Sequence, residues 1–486
     1  MKRYHTFRTW ILLPCILWGS ALFCQTIEIH QIDVGSGDAT LIIINKSTPT
    51  QINLLIDAGS RSAASDVLAY LQAPNGGNLG PVPYLDYVIT SHYHEDHLGG
   101  FVGSKKVSYS GCTKYTGILG QPGSTTNFYA VLDKGSGAPV STSGVYTDYT
   151  TLATTPTDRR VQVGVLTVGQ FGAIARIIPP AHTIPVPVPD ATQRLALGGV
   201  IYLGEDANNI PIQLRLWAVD GKVYAPNKPP TYIWNVADSA QVNRNNPGTK
   251  GNPNNWGLAW VLEYGKFRYF TGGDIGGYVT NSYLDIEDPI AAELPFYYTT
   301  PASAPGHICV FKSDHHGSEH STSDIFLNGL KPTLCSISCG SRHGHPTQQA
   351  MDRMMADHWN AADLRFTRLR NFVTTEYHQT WNVDTAYGFT SGNVNGILTN
   401  VPPPVIAGMT STQMTNLAYI YYLPHPPVAP PIPPNTYPII NGDIRIQVYP
   451  DDGNGHTIDQ LSVFKVQWKD YQTGVWQPAK TYTCHQ

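Results

Sequence analysis

The stretch Ser91-His92-Tyr93-His94-Glu95-Asp96-His97-Leu98-Gly99-Gly100 decides the fold. It follows Tyr84-Leu85-Asp86-Tyr87-Val88-Ile89, an apolar run that reads as a buried strand ending at Thr90. Four potential metal-ligating side chains, His92, His94, Asp96 and His97, fall within six positions, all just past that strand end. Imidazoles and carboxylates suit a borderline cation such as zinc, and an open loop lets them converge from different angles. Histidines also cluster in solvated loops. Four ligands at this spacing, after a strand and before Gly-Gly, favour a metal site over that reading.

Upstream, Thr26 to Ile32 alternates, Asp33-Val34-Gly35-Ser36-Gly37-Asp38 supplies a turn, and Thr40 to Ile44 and Ile52 to Ile56 are two β-branched runs. The second ends in Asp57-Ala58-Gly59-Ser60, a carboxylate at a strand end. Ala63, Ala64, Val67, Leu68 and Leu71 then recur at helical spacing. The order strand, strand, strand, helix, strand, ligand loop predicts an α/β sheet with chemistry at its strand ends.

Downstream, about 101–253 is too long for a simple loop and reads as an insertion on the active-site face. Within it Tyr146, Tyr149, Arg159 and Arg160 are either substrate-reaching or ordinary surface residues, the latter favoured on composition. Asn254 to Leu262 reads as a strand. A hairpin through Gly265-Lys266 leads to Phe267-Arg268-Tyr269-Phe270 and then Thr271-Gly272-Gly273-Asp274. Ile308 to Lys312 is another strand, ending in Ser313-Asp314-His315-His316-Gly317-Ser318. Thr333 to Ser338 is a strand, and Gly344-His345-Pro346 leads into a helix near Gln348 to His358. A Pro-rich spacer covers 401–434. A small β-rich appendage occupies 435–486, with Asp443 to Tyr449 and Leu461 to Trp468 as its strands.

The N-terminus reads as a targeting segment. Lys2, Arg3 and Arg8 precede an apolar stretch from Trp10 to Phe23, which is short for a membrane span, so 1–24 is expected to be a signal peptide. Phe23 is too bulky for a good lipobox, which disfavours lipid anchoring at Cys24. The expected product is exported, periplasmic or secreted, without membrane spans. Its net charge is −4 over the whole chain and more negative once the basic leader is removed, which argues against a broad nucleic-acid-binding face. Past the leader, Cys112, Cys309, Cys335, Cys339 and Cys484 leave an odd number for pairing. Cys335 and Cys339 are expected in the core.

Five strand-end features therefore line up: Asp57, the His92–His97 loop, Asn254/Asn255, Asp274 and His315/His316. Together with DVGSGD, LIDAG, SHYHEDHLGG, NNWGLAWVLEYG, FTGGD, FKSDHHGS and GHP, in that order, the sequence resembles the metallo-β-lactamase superfamily. It is similar above all to the hydrolase domain of the DNA-uptake protein ComEC and its stand-alone relatives. The resemblance covers about 27–370 apart from the insertion, within a hydrolase domain of 26–400. It implies an αββα sandwich with a large insertion and a small C-terminal β appendage.

The resemblance also implies two divalent cations, zinc foremost, with manganese or iron as alternatives. His92 and His94 would hold the first, and Asp96 and His97 the second. Asp274 would bridge them, and His316, slightly favoured over His315, would complete the second site. Asp57 would orient the ligand loop. The departure is at the third histidine, where Asn254 or Asn255 stands, so the first cation is expected to be held more loosely. The implied chemistry is hydrolysis by metal-activated hydroxide, with Asp96 orienting the water and accepting a proton. Ser318, Gly317, Lys312 and His345 would contact phosphate oxygens, although His345 reads equally well as a helix-entry residue before Pro346. Phosphodiester bonds, DNA among them, are the expected substrates. An amide, lactone or thioester hydrolase on the same centre, or a non-catalytic surface or periplasmic binding protein, are the alternatives.

Overall fold

A computed structural model describes residues 27–45, 51–72, 85–107, 195–229, 252–339, 345–355, 443–469 and shorter pieces, apart from isolated positions. The expected signal peptide, Arg159, Arg160, Cys112 and the Pro-rich 401–434 segment lie outside the described residues.

The β-branched runs near the N-terminus form Ile27–Gln31 (β1), Thr40–Ile44 (β2) and Ile52–Ile56 (β3), followed by helix Ala64–Gln72 (α1) and strand Leu85–Thr90 (β4). Every residue of these four strands is buried, as expected where both faces of a sheet are covered. The ligand loop runs directly into helix Glu95–Val102 (α2), and a small hairpin pairs Lys105–Val107 (β5) with Thr113–Tyr115 (β6). Thr125–Ala130 (β7), helix Gly144–Thr154 (α3) and Val163–Val165 (β8) follow. The second half supplies Ile174–Ile177 (β9), Leu195–Glu205 (β10), Pro211–Val219 (β11), Lys222–Val223 (β12), Trp234–Asn235 (β13), Ala259–Tyr264 (β14) and Phe267–Thr271 (β15). Helix Glu287–Tyr297 (α4), strand Val310–Lys312 (β16), helix Asp324–Leu330 (α5), strand Leu334–Ile337 (β17), helix Gln348–Met355 (α6) and strand Phe372–Thr374 (β18) complete it. The C-terminal strands are Ile444–Val448 (β19), Val463–Trp468 (β20) and Lys480–Thr483 (β21).

Two large sheets result. The first runs β21-β20-β19-β1-β2-β3-β4-β7-β8; the second runs β13-β12-β11-β14-β15-β16-β17-β18, with β10 and β9 joined through β11. They face each other across β1, where the Gln31 amide donates to Tyr269 Oη at 3.2 Å and Ser336 Oγ at 2.6 Å. The alternate face of β1 looks the other way, placing His30 Nδ1 2.8 Å from Tyr70 Oη on α1. On the outer side of the second sheet, Phe270 and Phe311 pack edge-on against Phe326 of α5 at 5.2 and 5.5 Å between centroids. Helix, sheet, sheet, helix is the layering that the resemblance implies. Among the described residues, no helix is long and apolar enough to cross a membrane.

Several expectations change in detail. Asn254 and Asn255 do not lie in a strand. Pro253–Trp256 is a 3-10 turn capped by the Asn252 side chain, with the strand starting only at Ala259. Pro253 explains this, because its fixed φ and missing N–H suit the first turn of a helix and not a central ladder. Apart from the β5-β6 hairpin, the described strands of 101–253 are members of the two large sheets: β7 and β8 extend the first, and β9 to β13 the second. The C-terminal strands pair with β1 through β19, Ile29 opposite Ile446. Cys484, just past β21, is disulfide-bonded to Cys309, just before β16, so the last strand of one sheet is tied to the other. Cys335 and Cys339 are both buried, as expected of core residues.

Candidate metal centre

The site lies where loops from both sheets meet. β3 ends at Asp57, whose φ of 58° turns the chain sharply. Its Oδ1 accepts the Ser91 N–H at 2.7 Å, and its Oδ2 accepts the Ser91 hydroxyl at 2.5 Å and His97 Nδ1 at 2.8 Å. Asp57 thus pins the start of the ligand loop and one of its imidazoles at once. The glycine pair that closes the motif has a packing reason. A Cβ on Gly100 would lie 1.8 Å from the Ala58 carbonyl oxygen, and one on Gly99 2.4 Å from the Arg61 nitrogen. Only glycine lets α2 press against the turn that carries Asp57. From the second sheet, β15 delivers Asp274, and β16 delivers His315 and His316, both with positive φ (46° and 56°).

Asp274 sits between two sets of ligands. Its Oδ2 lies 3.6 Å from His92 Nε2 and 3.8 Å from His315 Nε2; its Oδ1 lies 3.1 Å from His97 Nε2 and 3.4 Å from His316 Nε2. His92, His94 and Asp274 form one group able to hold a cation, and Asp96, His97 and His316 another. In the second group His316 Nε2 is 3.5 Å from Asp96 Oδ2, while Nδ1 of the same ring donates to the Ser338 carbonyl at 2.8 Å, which aims Nε2 at the centre.

The donors fit divalent cations. A cation held at about 2.0–2.2 Å keeps its nitrogen and oxygen ligands roughly 3.2–3.6 Å apart, close to the spacing of the second group. His97 Nε2, His316 Nε2 and Asp274 Oδ1 are all buried and have no hydrogen-bond partner among the described residues. Their nearest polar neighbours are one another, His97 Nε2 at 3.1 Å and His316 Nε2 at 3.4 Å from Asp274 Oδ1, and three such atoms converging on one point indicate a place for a ligand.

The two groups differ electrostatically. Burial pushes the Asp274 carboxyl up, but His97, His316, His315 and His92 around it hold it well below the usual carboxylate range. Burial pushes His97 and His316 down, yet the facing carboxylates outweigh it: Asp274 and Asp57 for His97, Asp274 and Asp96 for His316, which reaches about 9. Burial prevails at His92, at His94 and at His315, which falls to about 4. Positive charge is therefore favoured most in the second group.

The other expected site residues divide. Asn255 spends its amide on the Ser282 carbonyl (3.0 Å) and the Leu284 N–H (2.7 Å). Asn254 keeps both amide atoms buried and without a hydrogen bond among the described residues, in a turn tied to the ligand loop by Leu258 N–H to the Ser91 carbonyl at 2.9 Å. Asn254 is thus the free amide of the pair. The His345 ring lies 5.6 Å from that of His315 and 6.2 Å, stacked, from that of His316. Ser318 is 1% exposed, and its hydroxyl accepts the His320 N–H at 3.2 Å. Gly317, also buried, turns against Pro346, which a Cβ would meet at 2.6 Å. Lys312 is 1% exposed with its ammonium on Asp38, so a substrate-holding role does not fit its position. Tyr146 and Tyr149 are neither surface nor substrate residues. They pack behind the ligand loop, Tyr146 against Tyr93 at 4.7 Å and Tyr149 accepting the Thr90 hydroxyl at 2.9 Å.

Sequence reasoning gave Asp38 no role, although it closes the DVGSGD motif. It stands within ligand distance of Asp274 and His316. Its position at the end of a glycine turn, like that of Asp57, was the available signal. Tyr283 and His320, stacked at 4.6 Å beside His315, carry no such signal.

No family model matches the chain, and no curated protein matches it. Among solved structures it is similar to the metallo-β-lactamase fold protein YhfI from Bacillus subtilis, at 11% identity over 72% of this chain and 96% of that one, with a TM-score of 0.31. So distant a likeness transfers no residue role, and the grouping of the ligands rests on distances within this chain.

Proposed function

We propose that the chain is an exported metal-dependent hydrolase of the metallo-β-lactamase superfamily, of the ComEC-like branch, acting on phosphodiester bonds through two divalent cations, zinc foremost. The observation that carries the reading is Asp274, one carboxylate oxygen turned to each ligand group with the histidine nitrogens opposite it. Held by these residues, a pair of cations would lower the pKa of water towards neutrality and neutralise charge developing on a phosphoryl or carbonyl oxygen.

The protein's own groups do the rest. Asp57 and the Ser338 carbonyl fix His97 and His316 through their Nδ1 atoms, so that each Nε2 faces the centre. Asp96, with 21% of its side chain exposed against 3% for Asp274, is the carboxylate of the set that meets solvent, and it is placed to orient water and accept its proton. The Ser91 hydroxyl, bonded to Asp57, holds the loop against drift. The preference for phosphodiesters rests on the motif resemblance.

The test is metal analysis of purified protein combined with a substrate panel of bis-aryl phosphate, single-stranded DNA, a lactone and a β-lactam. Two equivalents of metal, and diesterase activity abolished in His94→Ala and Asp274→Asn, are expected. Activity on lactone or lactam alone would remove the phosphodiester claim and keep the centre. Protein that stays inactive after metal reconstitution would leave a binding protein.

A further inference from the structure

Beneath the second ligand group lies a buried ion pair that the hydrolytic reading does not use. Asp38 Oδ2 accepts from Lys312 Nζ, with the two side chains 2% and 1% exposed. Burying two charges is costly and stabilises only weakly, so such a pair calls for a reason beyond stability. Its surroundings supply one. Asp38 Oδ2 is 3.9 Å from His97 Nδ1, and Asp38 Oδ1 is 3.8 Å from His316 Nδ1. Oδ1 is buried with no hydrogen-bond partner among the described residues.

The backbone of the same residue is tied to the ligand loop. Asp38 N–H donates to the Asp96 carbonyl at 3.1 Å, and the Asp38 carbonyl accepts the Gly59 N–H at 2.7 Å. A Cβ on Gly37 would stand 2.2 Å from the Asp96 carbonyl oxygen, so the turn before Asp38 lies directly against that loop. Lys312 ends β16, four residues before His316, and is in register with Thr271 of β15 and Ser336 of β17. The pair therefore joins the turn that carries Asp96 and His97 from one sheet to the strand that delivers His316 from the other.

We propose that Asp38 is the positioning carboxylate of the second cation site, adding negative charge behind His97 and His316, with Lys312 as the counter-ion that keeps Asp38 in place before a cation arrives. The inference rests on the dinuclear reading above and concerns binding of the cation, not the chemistry. Asp38→Asn keeps the size of the side chain and the backbone bond to Asp96, removes the negative charge and leaves the Lys312 ammonium without its counter-ion. Lys312→Met leaves the charge on Asp38 without its partner.

The experiment measures zinc equivalents after dialysis against a graded chelator, together with thermal midpoints with and without zinc, on the full chain. Asp38→Asn is expected to bind the second equivalent about 10–100-fold more weakly and the first unchanged, and to gain a smaller thermal shift from zinc than the wild type. Lys312→Met is expected to lower the metal-free midpoint and to gain a larger shift from zinc, because the cation then answers the stranded carboxylate. A merely structural pair would lower both metal-free midpoints and leave both zinc shifts at the wild-type value, and that result overturns the inference. If Asp38→Asn does not fold, the Lys312→Met shift alone decides. Wild-type protein that binds no cation would instead defeat the dinuclear reading itself.

Discussion

The two halves of the candidate centre share one carboxylate, Asp274, but are built to different standards. In the half around Asp96, His97 and His316, both imidazoles have their Nδ1 atoms engaged, by Asp57 at 2.8 Å and by the Ser338 carbonyl at 2.8 Å. In the half around His92 and His94, the Ser91 hydroxyl stands 3.1 Å from His92 Nδ1, but the forward atom, His92 Nε2, is taken up by His94 Nδ1 at 3.0 Å, and His94 is partly open to solvent. Where the resemblance expects a third histidine the chain carries Asn254 and Asn255, and Asn254 keeps both amide atoms buried without a hydrogen bond among the described residues. A ligand whose far atom is anchored meets a cation with little loss of side-chain freedom; a ligand that must first release its neighbour does not. The difference predicts a tight site and a loose one.

The largest contrast should appear when one imidazole is removed from each half. His97→Ala strips the buried Asp57 of its histidine partner, and should lower metal-free stability by about 3 kcal/mol as well as abolish the second equivalent. His92→Ala should abolish the first equivalent at a stability cost of roughly 1 kcal/mol. Calorimetry and metal content read both, and equal stability losses would erase the distinction. Asp57→Asn comes next. The second site should weaken about 10–100-fold in chelator competition while the first keeps its affinity. Parallel weakening of both would mean that Asp57 supports the loop as a whole. The smallest effect is expected from Asn254→His, which puts an imidazole where the resemblance expects one and should tighten the first site by about tenfold or less. Titration with cobalt, followed by its visible absorption, checks this; an unchanged first affinity would place residue 254 outside the coordination sphere.

Much of this asymmetry was legible in the primary structure. Four ligands after a strand, a carboxylate ending β3 and another following β15 mark the chemistry, because metal ligation demands particular side chains at particular spacings. The asparagines at 254 and 255, where the resemblance expects a third histidine, were visible too. Choosing between His315 and His316 was not possible from order alone, since adjacent residues differ only in which way a strained turn aims them. The positive φ of both residues and the Ser338 carbonyl behind His316 settle that its Nε2 faces Asp96 and Asp274.

The errors have the same origin. Lys312 reads as a phosphate ligand because a lysine near histidines suits an anion. Its burial on Asp38 depends on a contact 274 residues apart, which no local pattern encodes. Strand β10, with Gly198 and Gly199 inside it, has weak local propensity and is held by its pairing with β11. Likewise, an alternating pattern at 443–449 and 461–468 announces strands but not their neighbour. It is the pairing of β19 with β1, and the cystine from Cys484 to Cys309, that make them part of the sandwich.

By itself, then, the sequence determined the ligand types, the strand-end positions that present them and the buried character of the strands that carry them, because periodicity and residue chemistry are local properties. Only the tertiary structure decided which nitrogen faces which oxygen, that Asp274 turns one oxygen to each half, and that Asp38 and Lys312 neutralise each other beneath the second. Those outcomes depend on angles and distances between two sheets that meet only after the chain has folded.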